Sequence, residues 1–242
     1  MRNLDMALRV CIKKKLNYFD LDINFSCFPE ELLAMIGPSG SGKTSIIRMI
    51  AGLEIPDEGR ISYGNEVWFD SSQKIYVAPQ KRRLGYVFQD YTLFPHLTIR
   101  ENAAFATRDR RRADYLLELF GISHLRDRKP NMVSGGERQR CAICQALARN
   151  PRALLLDEPF SALDFMNRRK LREDVKLLRD EMTFPVIYVT HDIQEAFSLA
   201  DKILPVVEGK IDNGWLQRSI SSAPSTGAPA KAAHATWLML AL

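Results

Sequence analysis

Gly37-Pro38-Ser39-Gly40-Ser41-Gly42-Lys43-Thr44 fits the pattern G-x-x-x-x-G-K-[ST] without a mismatch, and its surroundings decide the fold. Leu32-Leu33-Ala34-Met35-Ile36 before it is a short apolar run that reads as a buried strand. Ile46, Ile47, Ile50 and Ala51 after it recur at helical spacing, and Gly52 can close that helix in a left-handed C-cap. Strand, glycine loop and helix in this order make a phosphate cradle. The glycines let backbone N–H groups turn inward and approach a triphosphate closely, where a Cβ would block them. The helix N-terminus adds partial positive charge at the same place. Lys43 is expected to reach the β- and γ-phosphates of a bound nucleotide and the Thr44 hydroxyl to sit on Mg²⁺.

Composition sets the outer bounds. A chain of 242 residues, 46% hydrophobic and 26% charged, suits one large α/β domain with an inserted lobe. No apolar run approaches the ~20 residues that a membrane-spanning helix requires. Met1-Arg2-Asn3-Leu4-Asp5 lacks the apolar centre of a signal peptide, so a cytosolic chain is expected. The net charge of +5, from 34 basic and 29 acidic residues, is spread along the chain and points to no nucleic-acid partner. Its densest patch, Arg108-Asp109-Arg110-Arg111-Arg112, reads as a solvated helix start. Cys141-Ala142-Ile143-Cys144 spells C-x-x-C, but it lies inside a helical apolar pattern with no second pair, and reads as core packing.

Along the chain, Phe19, Leu21, Ile23, Phe25 and Cys27 alternate with polar residues, which predicts a half-buried strand with Phe19 in the core. A hairpin is expected over residues 61–69, broken at Gly64-Asn65. Leu84-Gly85-Tyr86-Val87-Phe88 is another strand, ending at Gln89. From there to about residue 150 the pattern is helical. Thr98 and Glu101 have capping-box spacing, Ala113, Leu116, Leu117 and Phe120 share one face, and Ser134-Gly135-Gly136-Glu137 is a second capping box opening a helix through Leu147. Ala153-Leu154-Leu155-Leu156-Asp157 is a buried strand, Leu171, Val175 and Leu178 mark an amphipathic helix, and Val186-Ile187-Tyr188-Val189-Thr190 is a strand with His191 at its end. Residues 203–207 form a last strand, with Pro205 arguing for an edge. Beyond Gly214 the pattern is lost, and residues 213–242 read as a low-complexity, disordered tail.

Asp157 ends a buried strand, where a carboxylate is costly unless it engages a cation, so it fits a Mg²⁺-holding acid. Glu158 follows it, and strand alternation turns it elsewhere, toward a water in line with the γ-phosphate. Ser134, Gly135 and Gly136 open a helix whose bare N–H groups suit an anion.

The phosphate loop, Gln89, Ser134-Gly135-Gly136-Glu137, Leu154-Leu155-Leu156-Asp157-Glu158-Pro159 and His191, in this order, resemble the ATP-binding subunits of ABC transporters over about residues 15–212. The resemblance implies an α/β fold: a P-loop NTPase core of RecA-like type with an antiparallel β subdomain and a helical subdomain inserted over about residues 90–150. It makes Glu158 the general base, His191 a γ-phosphate ligand, and Gln89 a residue that reaches Mg²⁺ and the attacking water and couples the site to a membrane partner. It places Ser134, Gly135, Gly136 and Glu137 on the nucleotide of a second, head-to-tail copy. Ser161-Ala162-Leu163-Asp164 resembles the loop that signals between the two sites. Val133 and Glu137 stand where Leu and Gln are common, and Lys13-Lys14-Lys15 stands where an adenine-stacking aromatic is usual, leaving the base contact open between Tyr18 and Phe19.

Residues 78–90 with Leu93-Phe94-Pro95-His96 look most like the ATPases of bacterial oxyanion importers, and the spacing from Val67 to Pro79 with Glu137 leans toward molybdate. The resemblance implies permease subunits in the membrane, a solute-binding protein acting through them, and a place at the cytoplasmic face of the inner membrane. A regulatory domain often follows the last strand in such subunits, and none is expected in this sequence. Importers of sulfate, iron or phosphonate are the alternatives, as are soluble ABC-type ATPases that act on nucleic acid; those usually carry a long coiled coil or a second ATPase copy, and the sequence contains neither.

Overall fold

In β1 (Leu8–Lys15) and β2 (Asp20–Cys27) alternate side chains are buried, Leu8, Val10 and Ile12 in the first and Leu21, Ile23, Phe25 and Cys27 in the second. These come from a computed structural model that describes residues 6–90, 93–107, 109–159, 175 and 183–221. The chain divides into two compact units, Met1–Ile211 and Asp212–Leu242.

The first unit holds two sheets. In β3 (Leu32–Ile36) every residue is buried, as expected of a strand covered on both faces. It runs into the glycine loop and α1 (Lys43–Ala51). Next come β4 (Glu58–Tyr63), β5 (Glu66–Asp70), β6 (Ile75–Tyr76), the short α2 (Pro79–Arg82) and β7 (Leu84–Val87). The helices α3 (Ile99–Ala104), α4 (Arg110–Leu119) and α5 (Gly135–Leu147) follow. The chain then returns through β8 (Ala153–Asp157), β9 (Val186–Thr190), α6 (Ile193–Leu199), β10 (Lys202–Val207) and β11 (Lys210–Ile211).

β2-β1-β4-β5-β6 form an antiparallel sheet of five strands; β11-β10-β3-β9-β8-β7 form a second of six, parallel except for β11. In the second, β9 lies between β3 and β8, with Ile36 beside Thr190 and Asp157 beside Val189. The ends of three strands distant in sequence therefore meet. One core joins the two sheets: Leu8, Ile12 and Ile23 cluster with Ile46 and Ile50 of α1 and with Met35, Leu155 and Val189.

Arg82 is wholly buried within this core region. Its guanidinium donates to the carbonyls of Met49 and Ile50 at the end of α1 and of Val77, at 2.7–2.9 Å, and lies over the rings of Trp68 and Tyr76. A buried cation is tolerated there because its donors meet backbone carbonyls, among them that of Ile50 at the open end of the helix and that of Met49, which also accepts from the Gly52 N–H.

Both capping boxes form: Thr98 with Glu101 opens α3, and Ser134 with Glu137 opens α5. Cys141 and Cys144 are buried free thiols whose Sγ atoms donate to the Ile99 and Leu116 carbonyls, so the C-x-x-C pair joins α5 to α3 and α4.

Two local expectations change, at Phe19 and beyond Gly214, and β1 and β10 add detail. β1, which no expectation covered, is a full strand. Phe19 precedes β2 and is half-buried, because the alternation begins one step later, at Leu21. β10 carries β11 beside it, but only at Val206 and Val207, so Pro205 stays at an uncovered edge. The pattern does not end at Gly214: α7 (Asn213–Ser221) continues, with Asp212 accepting from the Trp215 N–H. Ser161-Ala162-Leu163-Asp164, Leu171, Leu178 and residues 222–242 lie outside the described residues; Val175 is helical and buried.

Candidate functional site

Two glycines set the backbone of the loop between β3 and α1. A Cβ on Gly37 would fall 1.9 Å from the Val206 carbonyl oxygen, and Gly42, the residue before α1, is left-handed at φ 97°. Neither position admits another residue without moving the strand or straining the turn. The loop is also fastened from outside. Gly209, between β10 and β11, donates its N–H to the Ser41 carbonyl and accepts from the Asp22 N–H, and a Cβ there would meet Leu21 Cα at 2.8 Å.

Lys43 is 5% exposed and turns back over its own loop, donating to the carbonyls of Gly37 at 2.9 Å and Pro38 at 2.7 Å and to Ser41 Oγ at 3.2 Å. Burial lowers its pKa, and the carboxylates of Glu158 and Asp157 oppose that shift. Thr44 Oγ1 donates to Asp157 Oδ1 at 3.1 Å, and the Tyr86 hydroxyl donates to Asp157 Oδ2 at 3.2 Å. Asp157 is itself 5% exposed, and burial raises its pKa against the pull of these two hydroxyls. The result is a buried carboxylate, a buried ammonium and a threonine hydroxyl at the mouth of one sheet, each anchored by the element before or after it. Such a group fits a phosphate chain with a divalent cation: the cradle is one that a Cβ would fill, and the lone carboxylate is costly without a cation.

Glu158 lies just past β8 with its backbone left-handed at φ 46°, its N–H donating to the Val189 carbonyl. That turn, not strand alternation, directs it away from Asp157. His191 Nδ1 is 3.7 Å from Glu158 Oε2. A cleft of about 530 Å³ is lined by Ser39, Gly40, Ser41, Gly42, Lys43, Thr44 and Glu158, together with Lys14, Tyr18, Phe19 and Glu54. Tyr18 is 94% exposed at its mouth, the Phe19 ring lies against Gly42, and Lys14 is drawn to Glu54, Asp57 and the Ile55 carbonyl.

Gly37 and Pro38, Asp157, which meets the cleft through Thr44, His191, which lies beside Glu158, and two further predicted elements are not among the residues lining this cleft. Gln89 lies two residues beyond β7 and is exposed. Ser134, Gly135, Gly136 and Glu137 begin α5, where the Ser134 N–H and hydroxyl donate to Glu137 Oε2 at 2.7 and 2.8 Å. Burial works against the Glu137 carboxylate, but those bonds outweigh it and hold its pKa below the ordinary value. Tyr86 was not anticipated. A tyrosine inside an apolar strand was the available signal, because its hydroxyl needs a partner once buried.

Residues 21–161 match the ABC transporter family. Over 198 residues the chain is 45% identical to the molybdenum import ATP-binding protein ModC of Methylococcus capsulatus, covering 80% of this chain and 55% of that protein. It is 40% identical over 236 residues to the sulfate/thiosulfate import ATP-binding protein CysA of Mesorhizobium japonicum, covering 91% and 66%. The chain thus spans just over half the length of the first of these relatives. A bacterial ABC transporter cassette solved as a dimer superposes with a TM-score of 0.71 at 30% identity, over 86% of this chain and 97% of that one. With the phosphate loop, the Ser134 helix and Asp157 in the family's order on the family's fold, this chain belongs to the ABC transporter family.

Proposed function

We propose that this chain is the ATP-binding and ATP-hydrolysing subunit of an importer that takes up a small oxyanion, molybdate in the first instance. Lys43 and Thr44 line one cleft, and the bond from Thr44 to the buried Asp157 ties the carboxylate to it; this supports the ATPase reading, and the likeness to molybdenum import ATP-binding proteins supports the solute. Lys43, released from the Gly37 and Pro38 carbonyls, binds the β- and γ-phosphates while the loop N–H groups hold their oxygens. Thr44 and Asp157 would hold Mg²⁺, and Gln89 would reach it from beyond β7. When bound, Mg²⁺ neutralises charge on the phosphates. Glu158 takes the proton of the attacking water, and His191 donates to the γ-phosphate. Tyr18 offers an exposed ring to the base.

On the likeness to a cassette solved as a dimer, and because α5 opens on Ser134-Gly135-Gly136-Glu137 away from the residues lining the cleft, we assign this helix start to the nucleotide of a second copy, so that each of two copies completes the other's site. Permease subunits in the membrane, served by a solute-binding protein, then draw on the cycle, with this chain at the cytoplasmic face. A sulfate importer is the second reading, favoured by the likeness to a sulfate/thiosulfate import protein. Co-expression with the permease and solute-binding protein encoded beside it, reconstituted in vesicles, tests both. ATP hydrolysis is expected to rise several-fold with molybdate-loaded binding protein. A rise with sulfate alone would move the assignment to sulfate, and no rise with either would remove the oxyanion reading.

A further inference from the structure

A second cavity, of about 260 Å³, lies away from the nucleotide cleft and is walled by Arg83, Thr107, Asp109, Arg112, Arg149 and Asn150. Arg83 immediately precedes β7, Arg149 and Asn150 lead from α5 toward β8, and Asp109 and Arg112 begin α4. The cavity thus sits at the N-terminal ends of β7 and β8, opposite the ends that carry Gln89 and Asp157. Its walls are fixed. Arg83 and Asn150 are held left-handed at φ 53° and 49°, the Arg83 carbonyl accepts from the Arg152 N–H, and the Asn150 N–H donates to the Leu147 carbonyl.

Three guanidinium groups face one carboxylate here, and Asp109 already spends Oδ1 on the N–H groups of Arg111 and Arg112. Among the described residues none of Arg83, Arg112 and Arg149 forms an ion pair with a carboxylate, as is also true of Arg48, Arg128 and Arg138, but only Arg83, Arg112 and Arg149 line one cavity. Arg112 Nε–H is also buried without a hydrogen-bond partner. Arg83 and Arg149 are exposed and Arg112 is half-buried, so three like charges converge on an open cavity, and their mutual repulsion falls if an anion sits between them. The start of α4 and the end of α5 meet at this point, so their dipoles oppose, and the guanidinium charge decides the sign. The volume lies below the ~300 Å³ at which pockets for drug-sized ligands begin, which suits one tetrahedral oxyanion.

We propose that this cavity binds a small tetrahedral oxyanion, supplied either as free phosphate or as a phosphate monoester headgroup, and that the bound anion fastens α4 and α5 to the strand ends. The test is calorimetric titration of inorganic phosphate into the full chain at low ionic strength. The wild type is compared with Arg112→Ala/Arg149→Ala and with the charge-keeping Arg112→Lys/Arg149→Lys. The alanine pair is expected to weaken one binding event at least about tenfold and the lysine pair to lose less, since lysine keeps charge but not the fork. Phosphate bound at Lys43 is common to all three and cancels. Phosphate should also raise the melting temperature of the wild type but not of the alanine pair. Co-sedimentation with vesicles containing phosphatidic acid separates the sources: retention that the alanine pair loses assigns a headgroup, and phosphate binding without retention assigns the free anion. Equal phosphate affinity in wild type and alanine pair, or no phosphate binding and no retention by the wild type, overturns the proposal.

Discussion

Asp157 keeps its carboxylate where little water reaches it, and two hydroxyls, from Thr44 and Tyr86, compensate, with a smaller contribution from the Arg48 charge. Burial, the largest influence, raises its pKa above the ordinary 3.8. The folded chain therefore holds this proton more tightly than the unfolded chain does. Stability falls as pH rises from the ordinary value through the folded one, and the cost persists at neutral pH. Asp157→Asn removes that cost and keeps a group that both hydroxyls can pair with. The ligand-free variant is expected to melt roughly 2–4 °C higher than wild type at pH 7, with the gap closing below the ordinary carboxylate pKa, while Mg²⁺-dependent ATP binding is lost. A variant that melts lower at pH 7 would show that the carboxylate stabilises the fold. Lys43 and Asp157 were legible in the sequence because motif spacing names them. Tyr86 was not, since its role arises only when β7 pairs with β8 and Tyr86 comes to lie beside Leu155, two residues from Asp157.

At the level of elements, α1 is held at both ends. Its N-terminus belongs to the glycine loop, and its C-terminus is held by Arg82, whose pKa burial pulls down to about 10, so that it stays charged at neutral pH. Arg82→Met would fill similar space but leave the Ile50 and Val77 carbonyls without their donor, while Met49 would keep only the Gly52 N–H. The expected loss is about 3 kcal/mol, a fall of roughly 6–12 °C in melting temperature, with Arg82→Lys recovering only part. An unchanged melting temperature would mean that water replaces the guanidinium. Nothing in the local sequence marked Arg82, because Met49 and Trp68 approach it only in the folded core. The capping boxes at Thr98 and Ser134 were legible because each is complete within four residues. β1 carries the same alternation as β2 in Leu8, Val10 and Ile12, but it ends in Lys13-Lys14-Lys15, a run of charge that hides the strand. The helix over Asn213–Ser221 opens with Asn213 and Gly214, both poor helix formers, and its start rests on an Asp212 cap.

For the molecule as a whole, the cleft holds the loop, Glu158 and the nearby His191, but not the Ser134 helix start. If two copies complete each other's sites, slowing hydrolysis should accumulate the paired state. Glu158→Gln is expected to hydrolyse ATP at least ~100-fold more slowly and to shift from one copy to two on adding ATP, as read by light scattering. Hydrolysis at the wild-type rate would remove Glu158 as the base, and a variant that stays single with ATP bound would remove the pairing. Strand order was legible only in part: five strands followed from their apolar runs, with the run ending at Asp157 read as parallel, yet the position of β9 between β3 and β8 depends on which edges meet, and no run of residues encodes that locally. Gly209 shows the same dependence on distant contacts. Joined to Ser41 on one side and Asp22 on the other, it works as a latch between the rim of the antiparallel sheet and the phosphate loop. Damage to a hairpin more than 160 residues downstream of the loop would thus surface as weakened grip on nucleotide, and a survey confined to the motifs would pass it by.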